Sequence, residues 1–529
     1  MPAPTAKVAT SFHPFAGRDL PWLLDDQATR QPEKPFIIWE PGTKDPVTFT
    51  YGDFAELTLG IAAGLAAQNV AQGDAVVIHL DNCPEFLLAW FACSRLGALA
   101  VTTNTRSTAD ELNYFIKHSG AVAAITQPRY AAVVAEAGPD LRWIACTEAD
   151  GEQPASAPPS GMLPFETLRG DPTLAPKRAP DPLARNSIQY TSGTTSRPKG
   201  VVWTHANALW SATVNAAHAR LTGDDVALFY FPLFHTNAMG WTVLATLGAG
   251  ATAVMMPRFS TRRFWPVSQQ YRCTWAHQVM FTLRALANVP SPESHNYRAW
   301  FCAADMSIAR ERWGIKTIGW FGMTETISQT TVSDHERLTP ERCMGRAVPE
   351  YEIAIRRADG TEVATGETGD LWIRGVPGVS MFLEYLDDPA ATAAAFDADG
   401  WFETGDQVMP LPDGNLMFQG RAKDMLRVGG ENVAALEIEG AIMRVPGVLE
   451  VAVVGKPDAM LDEVPVAFVV ARDPGDALKA QIAARCVETL SDFKRPRDVL
   501  FVDEIPKGLL DKVLKKELRA RLLPQDSGS

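Results

Sequence analysis

The chain has 529 residues, 46% of them hydrophobic, and a formal net charge of −13. A chain of this length can bury a large core and exceeds the size of one compact domain, so we expect at least two domains. The acidic balance argues against nucleic acid and anionic membranes as general binding partners.

Cysteine usage and the first residues indicate the compartment. The seven cysteines are an odd number and contain no C-x-x-C pair, which favours reduced thiols and argues against a zinc site. The stretch MPAPTAKVATSFHPFAG lacks the apolar region of a secretory signal, and no apolar run reaches the length of a membrane span. We therefore predict a cytoplasmic protein without a membrane span. The sequence leaves open whether the protein forms a homodimer.

Helical and strand patterns alternate in the N-terminal part. Helices are predicted at 51–68, 84–98 and about 109–119, and buried strands at 75–80, 99–104 and 121–126. This alternation is typical of an α/β domain with a parallel sheet. Proline is dense in residues 151–186, which predicts a surface connection with little regular structure.

A polar loop separates two predicted strands at 187–190 and 201–205. Residues 191–200 read TSGTTSRPKG and combine glycines, five hydroxyl groups and Lys199. Backbone N–H groups, hydroxyls and a lysine are groups that bind phosphate, although a surface turn has the same composition. It is not a Walker phosphate loop, because Pro198 stands where that loop has its second glycine. A helix should follow, capped by Thr204 or Asn207.

The last third of the chain changes character twice. Residues 350–420 contain short strands with Asp-Gly or Thr-Gly turns and are predicted to be β-rich. After Arg421 we expect helices near 435–444 and 476–490 and strands at 448–455 and 465–471. That pattern predicts a separate small α+β domain.

Five motifs, taken in order, resemble the adenylate-forming superfamily of acyl-CoA synthetases, adenylation domains and beetle luciferases. They are TSGTTSRPKG (191–200), FGMTET (321–326), WFETGD (401–406), GRAKDMLRVGGENVAALEIE (420–439) and IPKGLLDKVLKKEL (505–518). The resemblance implies an α/β N-terminal adenylation domain with a β-rich subdomain, residues 1–421. It also implies a mobile C-terminal lid domain, residues 422–529, with a hinge near Lys423.

The resemblance also implies a reaction in two steps. A carboxylate attacks the α-phosphorus of ATP bound with Mg²⁺ and releases pyrophosphate, and a thiol, usually that of CoA, then attacks the acyl-adenylate. The expected partners are a small carboxylic acid, ATP and CoA. The enzyme's contribution to such chemistry is to orient anions and to neutralise their charge.

Site residues follow from the same motifs. The implied phosphate clamp consists of Thr191, Ser192, Gly193, Thr194, Thr195 and Lys199. Thr324 matches a further phosphate contact, and Glu325 matches the carboxylate associated with Mg²⁺. Ala303, Ala304 and Phe321 are expected at the adenine, and Asp406 and Arg421 at the ribose.

Three further positions concern the acid and the thiol. Lys512 matches the lysine that bridges the acyl carboxylate and the α-phosphate, although Asp511 stands where the family usually has glycine. Gly429 and Gly430 are expected to line the thiol tunnel, with a hairpin turn as the structural alternative. His235 matches a position at the acyl pocket, where a packing histidine is an equal interpretation.

The identity of the acid is left open by these motifs. Framework stretches such as HLDNCPEFLLAWF (79–91) resemble the branch of the family that activates carnitine-like betaines. A trimethylammonium group would bind aromatic faces, for which Trp241, Trp320 and Phe321 are candidates. An aryl or medium-chain acid is the main alternative. An enzyme that delivers the adenylate to an amine or a carrier protein also stays open, as does a silent nucleotide-binding relative.

Overall fold

The computed structural model describes residues 13–148, 150, 159–191, 197–340, 343–421, 425–506 and 513–522. These residues form two compact units. The first contains the described residues of 1–105, 115–190 and 200–420, and the second those of 106–114, 191–199 and 421–529. The predicted domain boundary after Arg421 stays a prediction, and the proposed hinge residue Lys423 lies outside the described residues.

Helices and strands alternate up to residue 191. In chain order they are α1 (Leu20–Arg30), β1 (Pro35–Trp39), β2 (Val47–Thr50), α2 (Tyr51–Ala67), β3 (Ala75–His79), α3 (Pro84–Leu96), β4 (Leu99–Thr102), α4 (Ala109–Ser119), β5 (Ala121–Thr126), α5 (Ala131–Ala137), β6 (Trp143–Cys146), β7 (Leu163–Pro164) and β8 (Arg185–Thr191). The predicted alternation between residues 51 and 126 is confirmed. In the described part of 151–186, two short 3₁₀ turns accompany β7, and Phe165 and Leu168 are buried.

The alternation continues to residue 332. The elements are β9 (Lys199–Thr204), α6 (His205–His218), β10 (Val226–Phe229), α7 (Thr236–Ala238), α8 (Ala245–Ala249), β11 (Thr252–Met255), α9 (Thr261–Gln270), β12 (Trp275–His277), α10 (Met280–Ala287), β13 (Ala299–Cys302), α11 (Ser307–Trp313), β14 (Thr317–Gly322) and β15 (Gln329–Val332). A π-helical stretch, Met239–Leu244, joins α7 to α8. Thr204 caps α6 and forms a capping box with Asn207, so both predicted capping residues take part.

The β-rich stretch follows, and then the C-terminal elements. They are β16 (Arg346–Ala347), β17 (Glu352–Arg356), β18 (Gly369–Arg374), β19 (Glu384–Tyr385), α12 (Pro389–Ala394), β20 (Phe402–Pro410), β21 (Leu416–Arg421), β22 (Met425–Val428), β23 (Glu431–Ala434), α13 (Ala435–Met443), β24 (Val448–Asp458), β25 (Asp462–Ala471), α14 (Asp476–Thr489), β26 (Asp498–Phe501) and α15 (Lys515–Ala520). Both the β-rich stretch and the α+β pattern after Arg421 are confirmed.

Three sheets organise the first unit. One has the order β16-β15-β14-β13-β12-β10-β11-β1-β2, the second β19-β9-β8-β4-β3-β5-β6-β7, and the third β17-β18-β20-β21. The central strands of the first two sheets run parallel, as the helix–strand alternation predicts. The third sheet is antiparallel where β17, β18 and β20 pair.

A shared hydrophobic core joins the first two sheets. It contains Ile37 and Met255 from one sheet and Val76 and Trp203 from the other. Residues in strands alternate between faces, and Val254 accordingly lies in a second core on the opposite side of the nine-stranded sheet. Among the described residues, no helix is both long and apolar enough to cross a membrane.

The second unit buries its own core around the sheet β23-β22-β25-β24, to which β26 is added. Within this unit, the Lys494 ammonium lies 2.7 Å from Oε1 of Glu111 and 2.8 Å from Oε1 of Glu437. All three side chains are nearly excluded from water. Two buried carboxylates thus share one buried cation.

Replacement of Lys494 by Met should therefore destabilise the second unit by about 3–5 kcal/mol, because it leaves buried charge without compensation. Native-state hydrogen exchange of amides in β25 measures this free energy. Lys479 is the control, since its ammonium lies 2.7 Å from Asp498 at the surface; Lys479→Met should cost at most about 1 kcal/mol. Equal losses in the two variants would contradict the role of burial.

Candidate active site

The FGMTET segment lies where β14 ends. A short 3₁₀ turn, Thr324–Thr326, separates β14 from β15. Because β10, β12, β13 and β14 run parallel, their carboxyl ends lie at the same edge of the sheet, which is where α/β proteins bind ligands. That edge includes Phe321 in β14 and the residues Ala303 and Ala304, which directly follow β13.

The backbone after this turn is strained. Ile327 has φ 65° and ψ −54°, and the Ser328 N–H donates to the Thr326 carbonyl over 2.6 Å. These features define a γ-turn of the rare type with positive φ, which is costly for a β-branched residue. The Ile327 side chain is fully buried. Strain of this kind persists only where surrounding contacts enforce it, and it occurs often at functional sites.

Two side chains hold the carbonyl groups of the γ-turn. The Trp241 indole N–H donates to the Ile327 carbonyl over 2.9 Å, and the Tyr351 hydroxyl donates to the Thr326 carbonyl over 2.5 Å. Trp241 lies in the π-helical stretch between α7 and α8, a local geometry that is frequent at functional sites. The strained turn is therefore fixed from two separate parts of the chain.

Side chains from the eight-stranded sheet hold Thr324. The Trp203 indole N–H in β9 donates to the Thr324 carbonyl over 2.9 Å. The Thr236 hydroxyl donates to Oε1 of Gln189 in β8 over 2.9 Å, and its oxygen lies 3.1 Å from the Thr324 hydroxyl oxygen. Thr324 thus lies in a turn between two strands of the nine-stranded sheet but is held by Thr236 and by side chains of the eight-stranded sheet.

The Glu325 carboxylate is buried and hydrogen-bonded. The residue is only 5% exposed, and the Tyr385 hydroxyl donates to Oε1 over 3.1 Å. The backbone N–H of Phe382 donates to the Glu325 carbonyl over 2.8 Å. Burial and the adjacent Glu325 carboxylate raise the pKa of Tyr385 above its usual range, so the phenol stays protonated and donates at neutral pH.

His235 lies beside a residue that contacts this turn. It precedes Thr236, is half-buried, and its ring lies 4.5 Å from that of Phe234. Asn82 fixes the same loop, because its amide group donates to the Phe231 carbonyl and its oxygen accepts from the Leu233 N–H. His235 therefore directly precedes Thr236, whose hydroxyl oxygen lies 3.1 Å from that of Thr324, and its place at an acyl pocket stays a prediction.

The aromatic residues proposed for a trimethylammonium group pack tightly. The rings of Trp241 and Trp320 lie 6.1 Å apart at 68°, and Phe301 stacks on Trp320 at 4.3 Å. The His277 ring lies 4.9 Å from Trp320, and burial lowers the pKa of His277 to about 3. Trp241 and Trp320 are therefore buried and pack on each other, and a role of these rings at a trimethylammonium group stays a prediction.

The ribose candidates lie in the third sheet. Asp406 is buried in β20, and its backbone N–H donates to the Thr404 hydroxyl over 3.1 Å. Arg421 is the last residue of β21. A buried carboxylate in a β-strand can accept two hydroxyl groups at once, and this role for Asp406 stays a prediction.

The phosphate loop is described only at its two ends. Thr191 is the last residue of β8, and Lys199 is the first residue of β9. The strand-to-strand context predicted for this loop is confirmed, since β8 and β9 are neighbours in the sheet. Ser192, Gly193, Thr194, Thr195 and Lys512 lie outside the described residues.

Gly429 and Gly430 form the two-residue turn of the β22–β23 hairpin. Their φ values of 59° and 85° lie in the left-handed region, which glycine adopts without steric cost and which two-residue hairpin turns require. Both glycines are exposed. The hairpin interpretation is confirmed, and it leaves a role at a thiol tunnel as a prediction.

The described His, Cys, Asp and Glu side chains include no group of three or more that could hold a metal ion. Mg²⁺ at nucleotide sites takes one or two carboxylates and completes its shell with phosphates and water. The Glu325 carboxylate is a hard oxygen donor of that kind, and its association with Mg²⁺ stays a prediction.

Family models match both parts of the chain. The AMP-binding enzyme model covers residues 24–386, and the model of the AMP-binding enzyme C-terminal domain covers residues 437–512. The chain therefore belongs to the AMP-binding enzyme family, and within it to the adenylate-forming acyl-CoA ligases.

Individual relatives agree with this assignment. A crotonobetaine/carnitine–CoA ligase of Escherichia coli is 32% identical over 523 residues, which cover 96% of this chain and 99% of the relative. The o-succinylbenzoate CoA synthetase of Bacillus subtilis superposes with a TM-score of 0.79 at 26% identity, covering 94% of this chain and 97% of that one. A fatty acyl CoA synthetase of Mycobacterium tuberculosis gives a TM-score of 0.66 at 30% identity, with coverages of 95% and 98%.

The hydrogen bond from Trp203 to the turn makes a testable contribution to stability. Trp203→Phe should lower the free energy of unfolding by about 1–3 kcal/mol more than Trp300→Phe does, because it leaves the Thr324 carbonyl without its donor. Both tryptophans are fully buried, and within the described residues the Trp300 N–H has no acceptor. Guanidinium unfolding of the two variants gives the difference. A larger loss for Trp300→Phe would contradict the anchoring role of Trp203.

Proposed function

We propose that this protein is an ATP-dependent carboxylic acid–CoA ligase that forms an acyl-adenylate and releases pyrophosphate and AMP. The observation that carries the proposal is the buried Glu325 carboxylate beside Thr324, held in a strained turn at the carboxyl ends of parallel strands. Such a turn presents oxygen donors at fixed positions to a charged ligand, which is the requirement for phosphoryl chemistry.

The triphosphate is assigned to two segments. Thr191, the hydroxyl and glycine residues up to Thr195, and Lys199 would hold the β- and γ-phosphates, and the Thr324 hydroxyl would bind a further phosphate oxygen. Mg²⁺, when bound beside Glu325, would neutralise phosphate charge. Because the Glu325 carboxylate would fix the position of Mg²⁺, it would also orient the phosphates that Mg²⁺ binds. That orientation favours an in-line approach of the acid to the α-phosphorus.

The nucleoside would lie along the carboxyl edge of the nine-stranded sheet. Phe321 offers an aromatic face for adenine, and Ala303 and Ala304 leave room for it because their side chains are small. Asp406 and Arg421 would bind the ribose. Lys512 would bridge the acyl carboxylate and the α-phosphate, where negative charge accumulates during attack.

The second step requires a thiol at the acyl carbonyl. In our proposal the lid rotates near Lys423, which withdraws Lys512 and brings Gly429 and Gly430 to the thiol. The carbon–sulfur bond forms as the bond between the acyl carbon and the AMP oxygen breaks, the thiol proton passes to solvent, and AMP leaves with the electron pair. CoA is the proposed acceptor, and an amine or a carrier protein is the alternative.

For the acid, a small or betaine-like carboxylate is the proposal, supported by the similarity to a ligase named for crotonobetaine and carnitine. Trp241 and Trp320 are buried and pack on each other, so they support this acid less than the similarity does. An aryl or medium-chain acid is the second candidate, favoured by the similarity to an o-succinylbenzoate CoA synthetase.

Acid-dependent exchange of pyrophosphate into ATP tests the proposal directly. The panel should contain crotonobetaine with crotonate, which lacks only the trimethylammonium group, and benzoate with cyclohexanecarboxylate, and octanoate. We expect exchange with at least one acid and thioester formation when CoA is added. Exchange with none of these acids or their longer homologues would contradict the ligase, and exchange without thioester would favour the amine or carrier acceptor.

Lys512→Ala should separate the two steps. The variant is expected to lose at least about 100-fold in acid-dependent exchange, since it lacks the cation that stabilises the adenylation transition state. Conversion of supplied acyl-AMP to the thioester should stay within about threefold of the unmodified enzyme, as should both steps in the surface variant Lys479→Ala. Equal loss in both steps of Lys512→Ala would refute the assignment.

A further inference from the structure

A second buried side chain accompanies Glu325 and has no role in the steps above. Tyr385 ends β19, a two-residue strand that pairs with β9 of the eight-stranded sheet. Tyr385 is as inaccessible as Glu325, with 6% and 5% of the two residues exposed. Its hydroxyl donates to Oε1 of the carboxylate over 3.1 Å.

The segment that carries Tyr385 holds both the backbone and the side chain of Glu325. Phe382, three residues earlier, donates its N–H to the Glu325 carbonyl over 2.8 Å. The Tyr385 N–H donates to the Thr392 hydroxyl, and its ring packs on Phe382 at 4.7 Å. The phenol is thus positioned by its own packing and by its strand, independently of the carboxylate that it contacts.

A second tyrosine at the same turn makes a different contact. The Tyr351 hydroxyl lies 2.5 Å from the Thr326 carbonyl and 3.0 Å from the Ser380 carbonyl, and the Trp210 N–H donates to it over 3.0 Å. Tyr351 therefore holds two backbone carbonyl groups in place, those of Thr326 and Ser380. Tyr385 contacts a carboxylate oxygen, so removal of its hydroxyl changes the orientation of a charged group rather than the path of the chain.

We propose that Tyr385 is a positioning residue that orients the Glu325 carboxylate toward the metal of the metal–ATP complex. The inference rests on the proposed function, because it takes Glu325 as the metal-associated carboxylate. A hydrogen bond to one oxygen fixes the rotation of the carboxylate and so directs its other oxygen. Partners of this kind around a metal ligand typically change metal affinity by about 10–100-fold when they are removed.

The test is Tyr385→Phe, which keeps the ring and its packing and removes the hydroxyl. The matched control is Tyr51→Phe, because the buried Tyr51 hydroxyl donates to the Ala251 carbonyl over 2.7 Å and not to the turn. Binding of Mn²⁺ with α,β-methylene-ATP, measured by electron paramagnetic resonance against the same metal and nucleotide without enzyme, reports the affinity of the enzyme for the complex without catalysis. We expect about tenfold weaker binding in Tyr385→Phe and unchanged binding in Tyr51→Phe.

Kinetics and stability provide the second readout. In pyrophosphate exchange, the half-saturating Mg²⁺ concentration of Tyr385→Phe should rise about tenfold, while the KM of the acid and the rate at saturating Mg²⁺ stay within about threefold. Thermal denaturation should show a loss in both variants, because each loses a buried hydroxyl. Unchanged metal dependence in Tyr385→Phe, or an equal shift in Tyr51→Phe, would overturn the proposal.

Glu325→Gln distinguishes failure of this inference from failure of the proposed function. If Glu325→Gln loses metal binding and Tyr385→Phe does not, Tyr385 has no positioning role and the ligase assignment is unaffected. If Glu325→Gln binds Mn²⁺ as tightly as the unmodified enzyme, the assignment of Glu325 itself is wrong, and the Tyr385 proposal is overturned with it.

Discussion

The γ-turn at Ile327 is the constraint on which the candidate site depends. A β-branched residue at φ 65° is held there by the Ser328 N–H, the Trp241 indole and the Tyr351 hydroxyl, which bind the carbonyls around it. The cost of that conformation is offset by interactions outside the turn itself. Because the turn cannot relax without breaking them, Thr324 and Glu325 keep one position relative to the carboxyl ends of the parallel strands.

The same turn connects two sheets through side chains. Trp203 and Gln189 belong to the eight-stranded sheet, and they contact Thr324 directly or through the Thr236 hydroxyl. Tyr385, from the edge strand of that sheet, contacts Glu325. A site that must bind a polyanion and orient a metal benefits from such preorganisation, since fixed donors need no rearrangement while charge develops.

Much of the architecture could be predicted from the sequence because its signals are local. Helical spacing in 51–68 and the β-branched run at 75–80 indicate α2 and β3, and Thr204 with Asn207 forms the capping box of α6. The motif FGMTET indicated Thr324 and Glu325 as site residues, although it did not predict the turn that carries them. These features follow from residues that lie close together in the chain, as does the hairpin turn at Gly429 and Gly430.

The contacts that build the site could not be predicted in this way. Trp203 and Thr324 are 121 positions apart, and Tyr385 and Glu325 are 60 apart, so no periodicity links them. Ile327 has a positive φ, which a β-branched residue disfavours, and only tertiary contacts can impose that conformation. Trp241 and Trp320 were candidates for an aromatic cage because composition shows that rings are present, whereas only the structure shows that they pack on each other.

A crystal structure of the protein with AMP would show whether this turn forms part of a nucleotide site. We expect a phosphate oxygen within about 3 Å of the Thr324 hydroxyl, a normal hydrogen-bond distance, with the adenine ring on Phe321 and the ribose hydroxyls on Asp406. AMP bound elsewhere, with the turn at Ile327 unchanged and Thr324 out of contact with the phosphate, would contradict it.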